Sequence, residues 1–122
     1  MRRLRYSVII PAYNAETTLP LTLSALKQQA IPPEAYEIIV VDDGSQDGTA
    51  HVAREAGVQV ITQANQGPAV ARNTGAKAAR GAIILFTDAD CAPINSWIGK
   101  RTTPFADPEV VGTKGAYRTR QK

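Results

Sequence analysis

The sequence predicts an α/β domain in which helices cover both faces of a mostly parallel sheet, and three observations carry that prediction. Short, largely apolar runs recur at 6–10 (YSVII), 37–41 (EIIVV), 58–62 (VQVIT) and 83–86 (IILF), the look of strands buried on both faces. Helical segments lie between them, and strict alternation of strand and helix goes with right-handed crossovers between parallel strands. Two of the runs end in acids, Asp42-Asp43 and Asp88-Ala89-Asp90. An unpaired buried carboxylate is very costly, so these acids belong at the carboxyl ends of the strands, where open α/β sheets bind ligands.

Taken in order, the first strand ends at Pro11 and an AYN turn. Asn14, Glu16, Thr17 and Thr18 are candidates for the cap and first turn of a helix carrying Leu19, Leu23 and Leu26. Pro20 is tolerated only in a first turn, which starts that helix near Thr17 or Thr18, and Ile31-Pro32-Pro33 stops it. The second strand, Glu37 to Val41, leads through Gly44-Ser45 into a helix that Ser45 or Asp47 can cap and Gly57 ends. The third, Val58 to Thr62, precedes a polar turn and a helix from about Ala69 to Arg80, lined by the small residues Ala71, Gly75, Ala78 and Ala79. After the fourth strand a short helix is expected around Trp97 and Ile98, stopping at Pro104, then a fifth strand at Val110 and Val111. No further strand-helix unit follows, so the expectation is that the chain stops before its domain does.

At 122 residues the chain suffices for one cored domain. Its 43% hydrophobic and 20% charged residues exclude a disordered class. The net charge of +3 gathers at the ends, MRRLR and KGAYRTRQK, and describes the termini more than any site. A single cysteine, Cys91, excludes an internal disulfide and a cysteine metal cluster and suits a reducing compartment. No apolar run reaches membrane-spanning length and no signal peptide is legible, so the expected location is cytoplasmic, with peripheral contact at a membrane surface left open by the basic ends.

In a parallel sheet the ends Pro11-Ala12-Tyr13-Asn14, Asp42-Asp43-Gly44-Ser45 and Asp88-Ala89-Asp90 share one rim. A hard cation such as Mg²⁺ or Mn²⁺ takes carboxylates, waters and phosphate oxygens and keeps few protein ligands when a substrate completes its shell. A diphosphate-bearing substrate makes chemical sense of so sparse an acidic site. An Asp-x-Asp alone is equally an ordinary surface loop; its place after IILF, with a second acid pair after IIVV, favours a ligand site. One aspartate of the 42–43 pair has a plain alternative, satisfying backbone donors of its turn. Arg72 has two readings, hydrogen-bonding a base, ribose or phosphate, or relieving the charge of Asp42, Asp43 or Asp88. His51 reads as a surface residue, Asn65 as a turn former, Trp97 as a helix anchor, and Cys91, without an evident base, as no nucleophile.

Together, VIIPAYN at 8–14, IIVVDDGSQDGT at 38–49, NQGPAVARNTGAKAARG at 65–81 and IILFTDAD at 83–90 resemble the family 2 glycosyltransferases. The resemblance implies the three-layer α/β/α, Rossmann-like GT-A fold of nucleotide-diphosphosugar transferases and an inverting sugar transfer that uses Mg²⁺ or Mn²⁺. It implies that Pro11, Ala12 and Tyr13, with Glu16 nearby, border the nucleotide; that Asp42 or Asp43, with Asp42 favoured, contacts the base; and that Arg72 lines the nucleotide pocket. Asp88, Ala89 and Asp90 match the DxD motif, Asp88 facing the ribose or assisting the metal through water and Asp90 binding the cation that bridges the diphosphate. UDP is the favoured donor nucleotide, GDP and dTDP the others. The acceptor, a sugar, lipid or protein, is unspecified. The general base is expected beyond residue 122, so the whole of 1–122 reads as the nucleotide-sugar-binding portion of one glycosyltransferase domain without its acceptor-binding portion.

Rival readings are a catalytically silent nucleotide-binding or scaffold domain and a Mg²⁺-dependent phosphatase-like hydrolase, although the hydrolase acid pair normally follows the first strand. A receiver-like module meets the same objection, since Tyr13-Asn14 stands there. A GxGxxG turn and a P-loop are both absent, and nucleic-acid binding has only the basic ends behind it.

Overall fold

A computed structural model describes residues 4–106, 112–113 and 116–118. The order is β1 (Tyr6–Ala12), α1 (Leu19–Lys27), β2 (Tyr36–Asp42), α2 (Thr49–Glu55), β3 (Gln59–Thr62), α3 (Pro68–Ala78), β4 (Ile83–Phe86), α4 (Trp97–Thr102), β5 (Gly112–Thr113) and β6 (Ala116–Arg118). Single tight helical turns, Pro33–Ala35 and Thr103–Ala106, precede β2 and follow α4. One sheet runs β3-β2-β1-β4-β6-β5. Pairing is parallel among β1 to β4, while β6 lies antiparallel to both β4 and β5.

The expected helices and strands are present within a few residues of their forecast bounds up to α4. Downstream, the fifth strand expected at Val110 and Val111 lies outside the described residues. The strands found there, β5 and β6, are two and three residues long, too short to produce a hydrophobic period. They make the edge next to β4 antiparallel.

Strands β1 to β4 divide their side chains between two cores, the period-2 consequence of the pleat. Val8, Ile10, Ala12, Ile38, Val40, Ile83 and Leu85 face one side, where Leu19, Leu23 and Leu26 of α1, Ala53 of α2 and Ile98 of α4 cover them. Ile9, Ile39, Val41 and Ile84 face the other, against Ala71 of α3. The result is three layers, as expected. Gly75 explains how α3 comes so near: a Cβ there would lie 2.3 Å from Ile9 Cγ2 and 3.1 Å from Val41 Cγ2.

Pro20 falls in the first turn of α1, as its missing N–H requires. The cap assignments need correction. Thr18 stands at the N-cap of α1 without a side-chain cap bond, and Asn14 and Glu16 are engaged elsewhere. At α2 the N-cap is Gly48, although Asp47 accepts the Thr49 N–H at 3.0 Å and the Thr49 hydroxyl. Ser45 does not cap. Gly57, at φ +80°, follows the C-terminus of α2 in the left-handed conformation expected of it.

Candidate functional site

The carboxyl ends of β1 and β2 finish level, Ala12 opposite Asp42, and the ladder runs one bond further as Asp43 N–H donates to the Ala12 carbonyl at 2.9 Å. The loops beyond are stapled together. Ser45 Oγ accepts the Asn14 N–H at 2.8 Å, Thr49 Oγ1 accepts the Ala15 N–H at 2.8 Å, and Asp47 Oδ2 accepts the Glu16 N–H at 3.2 Å. In return Asn14 Oδ1 accepts the Gln46 N–H at 2.9 Å. Asn14 holds φ +49°, a left-handed conformation that asparagine tolerates better than most residues. Asn14, Ser45 and Asp47, offered by the sequence as helix caps, therefore spend their side chains on joining two loops of the rim.

The two adjacent acids have different work. Asp43 is 4% exposed. Its Oδ1 accepts Gln63 Nε2 at 2.9 Å and the Gln66 N–H at 2.8 Å, and its Oδ2 accepts the Gly67 N–H at 2.9 Å and Asn65 Nδ2 at 3.4 Å. Burial pushes this carboxyl up, but the hydrogen bonds from Gln63, Gln66 and Gly67 outweigh it and hold the group below the usual carboxylate range. Asp43 thus fixes the 63–67 loop and, through Gly67 at φ +99°, the start of α3. This is the turn-satisfying role foreseen for one acid of the pair. Asn65 also donates to the Asp43 carbonyl at 3.0 Å, fitting a turn former. The Asp42 carboxylate, in a residue 6% exposed, accepts one hydrogen bond among the described residues, from the Ser45 N–H at 3.0 Å on Oδ1.

Beyond β4 the ladder continues as Thr87 N–H donates to the Ile9 carbonyl at 3.2 Å, a register that brings Asp88 toward the level of Pro11. Ala89 is buried in the core beneath α1 and α4 while Asp88 and Asp90 on either side are exposed. The middle residue points in, so the two acids point out. The turn closes through Cys91 N–H to the Asp88 carbonyl at 3.3 Å, and the Thr22 hydroxyl of α1 donates to the Ala89 carbonyl at 3.0 Å. Carboxylate oxygens of Asp88 and Asp90 and the thiol of Cys91 lie within 4.8 Å of one another. Two hard oxygen donors with open solvent before them suit Mg²⁺ or Mn²⁺, and the single soft sulfur does not change that preference.

The other residues singled out in the sequence are spread over several elements. Pro11 is half-buried, Ala12 buried and Tyr13 51% exposed, its ring open to solvent. Arg72, half-buried in the second turn of α3, makes no ion pair among the described residues, so the charge-relieving role for it with Asp42, Asp43 or Asp88 is not seen. Glu16 is placed against the start of α2, where a Cβ on Gly48 would come 2.7 Å from its carboxylate. His51 is exposed beside Glu55 at 3.5 Å, one turn along the helix, and Trp97 packs half-buried against the core. Thr22 and Gln63 escaped the sequence reading. The signal for Thr22 was there, a polar residue on the buried Leu19-Leu23-Leu26 stripe.

A family model described as Glycosyl transferase family 2 matches residues 7–122. Glycosyltransferase AglE of Haloferax volcanii is 42% identical over 114 residues, covering 87% of this chain and 38% of that protein. The uncharacterized glycosyltransferase EpsJ of Bacillus subtilis is 43% identical over 120 residues, covering 92% and 34%. Among solved structures, the mannosyltransferase PcManGT of Pyrobaculum calidifontis, in complex with GDP-Man and Mn²⁺, superposes with a TM-score of 0.81 at 30% identity, over 91% of this chain and 35% of that one. TarS of S. aureus in complex with UDP-GlcNAc gives 0.75 at 31%, over 86% and 32%. The chain thus spans about a third of the length of each. With the rim acids, the parallel sheet and the profile all agreeing, the chain belongs to glycosyl transferase family 2 and has a GT-A-like fold.

Proposed function

We propose that this chain provides the donor site for metal-dependent, inverting transfer of a sugar from a nucleotide-diphosphosugar to a sugar, lipid or protein acceptor. The observation that carries the reading is the Asp88-Ala89-Asp90 turn, whose buried alanine forces two carboxylates outward at the rim where β1 and β2 also end. Asp90, with Asp88, would hold Mn²⁺ or Mg²⁺; the bound ion supplies charge neutralisation on the departing diphosphate. Tyr13 offers an exposed aromatic face to a base, and Pro11 and Ala12, which precede it at the end of β1, would border the nucleotide. Asp42 is the acid of its pair with acceptor capacity left for a base, since the Asp43 carboxylate is engaged by the 63–67 loop. Arg72 brings a cation that no acid among the described residues neutralises, suited to phosphate or ribose.

UDP is the favoured nucleotide, with GDP and dTDP next; relatives of this chain were solved with UDP-GlcNAc and with GDP-Man and Mn²⁺, which supports a donor of this class. The general base and the acceptor surface fall to residues outside this donor half. Among the described residues no helix is long and apolar enough to cross a membrane. Calorimetric titration with UDP, GDP and dTDP, each with and without Mn²⁺, tests the reading. Metal-dependent binding of one nucleotide that disappears in Asp90→Ala supports it. A folded chain that binds none refutes it.

A further inference from the structure

We infer that Thr22 of α1 is a positioning residue for the Asp88–Asp90 turn, fixing the two carboxylates from behind without touching a ligand, while Gln29 anchors the far end of the same segment at Ile94 and Ile98. The inference deepens the donor-site reading and rests on it. Between β4 and α4 the chain forms turns but no helix or strand, so backbone groups beyond its own turn bonds, such as Cys91 N–H to the Asp88 carbonyl, need partners elsewhere. They find them on α1 and just past its C-terminus. The Thr22 hydroxyl donates to the Ala89 carbonyl at 3.0 Å; one turn beyond Leu26, Gln29 Nε2 donates to the Ile94 carbonyl at 2.8 Å and Gln29 Oε1 accepts the Ile98 N–H at 2.9 Å. Ala30 N–H adds a bond to the Asn95 carbonyl at 2.8 Å. Thr22 lies on the buried face of α1 with Leu19, Leu23 and Leu26, while Gln29 and Ala30 lie just past its C-terminus.

Thr22 is fully buried and Gln29 nearly so. A buried hydroxyl on an apolar face costs stability unless it is bonded, and valine would fill nearly the same space. What threonine adds is the bond to Ala89, the one residue whose inward orientation sends Asp88 and Asp90 outward. Gln29 ties the far end of the segment and supplies a side-chain acceptor to an N–H in the first turn of α4, a group that a helix leaves unsatisfied.

The test compares the full chain with Thr22→Val and Thr22→Ser. Two readouts are taken: amide hydrogen exchange at Cys91, whose N–H closes the turn, against Leu85 in β4, and calorimetric affinity for UDP with and without Mn²⁺. Thr22→Val is expected to speed Cys91 exchange and to weaken Mn²⁺-dependent UDP binding, each by about three- to tenfold, the worth of one hydrogen bond. Leu85 exchange and metal-free UDP affinity stay unchanged, and Thr22→Ser restores both affected values. Wild-type exchange at Cys91 in Thr22→Val overturns the inference, and so does equal acceleration at Leu85, which marks general loosening. A wild-type chain that takes neither Mn²⁺ nor UDP refutes the donor-site reading, and the exchange comparison alone then decides the role of Thr22. If Thr22→Val does not fold, Gln29→Met is read in the same way at the Ile98 amide, with unchanged exchange there counting against the inference.

Discussion

Replacing Asp43 by asparagine is expected to destabilise the chain severely, although the substitution changes almost no volume. The carboxylate accepts four N–H groups, two on each oxygen. An amide turns one oxygen into a donor, so in either orientation two N–H groups face another N–H instead of an acceptor. Hydrogen bonds to a charged group contribute about 1.5–3 kcal/mol each, and an orphaned buried donor costs a comparable amount. One donor at the Oδ2 end is long, at 3.4 Å, and Gln66 is exposed and can turn to water. The expected loss is therefore about 2–4 kcal/mol rather than the full sum of four bonds. That is a large share of the ~5–15 kcal/mol of a typical domain. Urea denaturation followed by circular dichroism measures it, with Asp42→Asn as comparator, since an asparagine oxygen can still accept the single Ser45 N–H. Asp42→Asn should lose less than about 1 kcal/mol. Equal losses in the two variants, or a loss under 1 kcal/mol in Asp43→Asn, would refute the division of labour between the acids.

Three further outcomes are expected. Gly75→Ala drives a methyl to 2.3 Å from Ile9 Cγ2 and should cost about 1–3 kcal/mol by overpacking, read as a lowered urea midpoint. Acid should destabilise the fold through Asp43 and Asp47, Asp47 being held low chiefly by the Thr49 hydroxyl. Both folded carboxyls lie below their unfolded value, so their contribution is complete above about pH 4 and fades as pH falls through the folded values; a pH series of denaturation curves should show a shallower acid limb in Asp43→Asn. Arg72→Met should leave the thermal midpoint within about 2 °C of wild type, because no ion pair among the described residues is lost. Its nucleotide affinity, by calorimetry, should fall about tenfold, equivalent to ~1.4 kcal/mol.

Most of the architecture was legible because the buried strands are nearly pure in Val, Ile and Leu and their punctuation is strong. Pro20, Gly57 and Gly67-Pro68 fall where helices begin or end for reasons of φ and missing donors that apply in any context. The rim acids were legible by the same logic, since carboxylates following apolar strands have nowhere to go but the mouth. The destinations of short polar side chains were not. Asn14, Ser45 and Asp47 bond across about thirty residues of sequence, and a local rule for helix caps competes with loop contacts that exist only once β1 and β2 are adjacent. The different fates of Asp42 and Asp43 were undecidable for the same reason, because the donors that claim Asp43 arrive from residues 63 to 67.

The stapled loops after β1 and β2 have a dynamic consequence. Three consecutive amides, Asn14, Ala15 and Glu16, donate to side chains of Ser45, Thr49 and Asp47, so none can open to solvent without unlatching its partner loop. Local opening in proteins proceeds by contiguous cooperative units, and here the unit joins segments that are distant in sequence. Hydrogen exchange at these three amides is therefore expected to report one shared opening free energy, held in common by two loops that the sequence keeps about thirty residues apart.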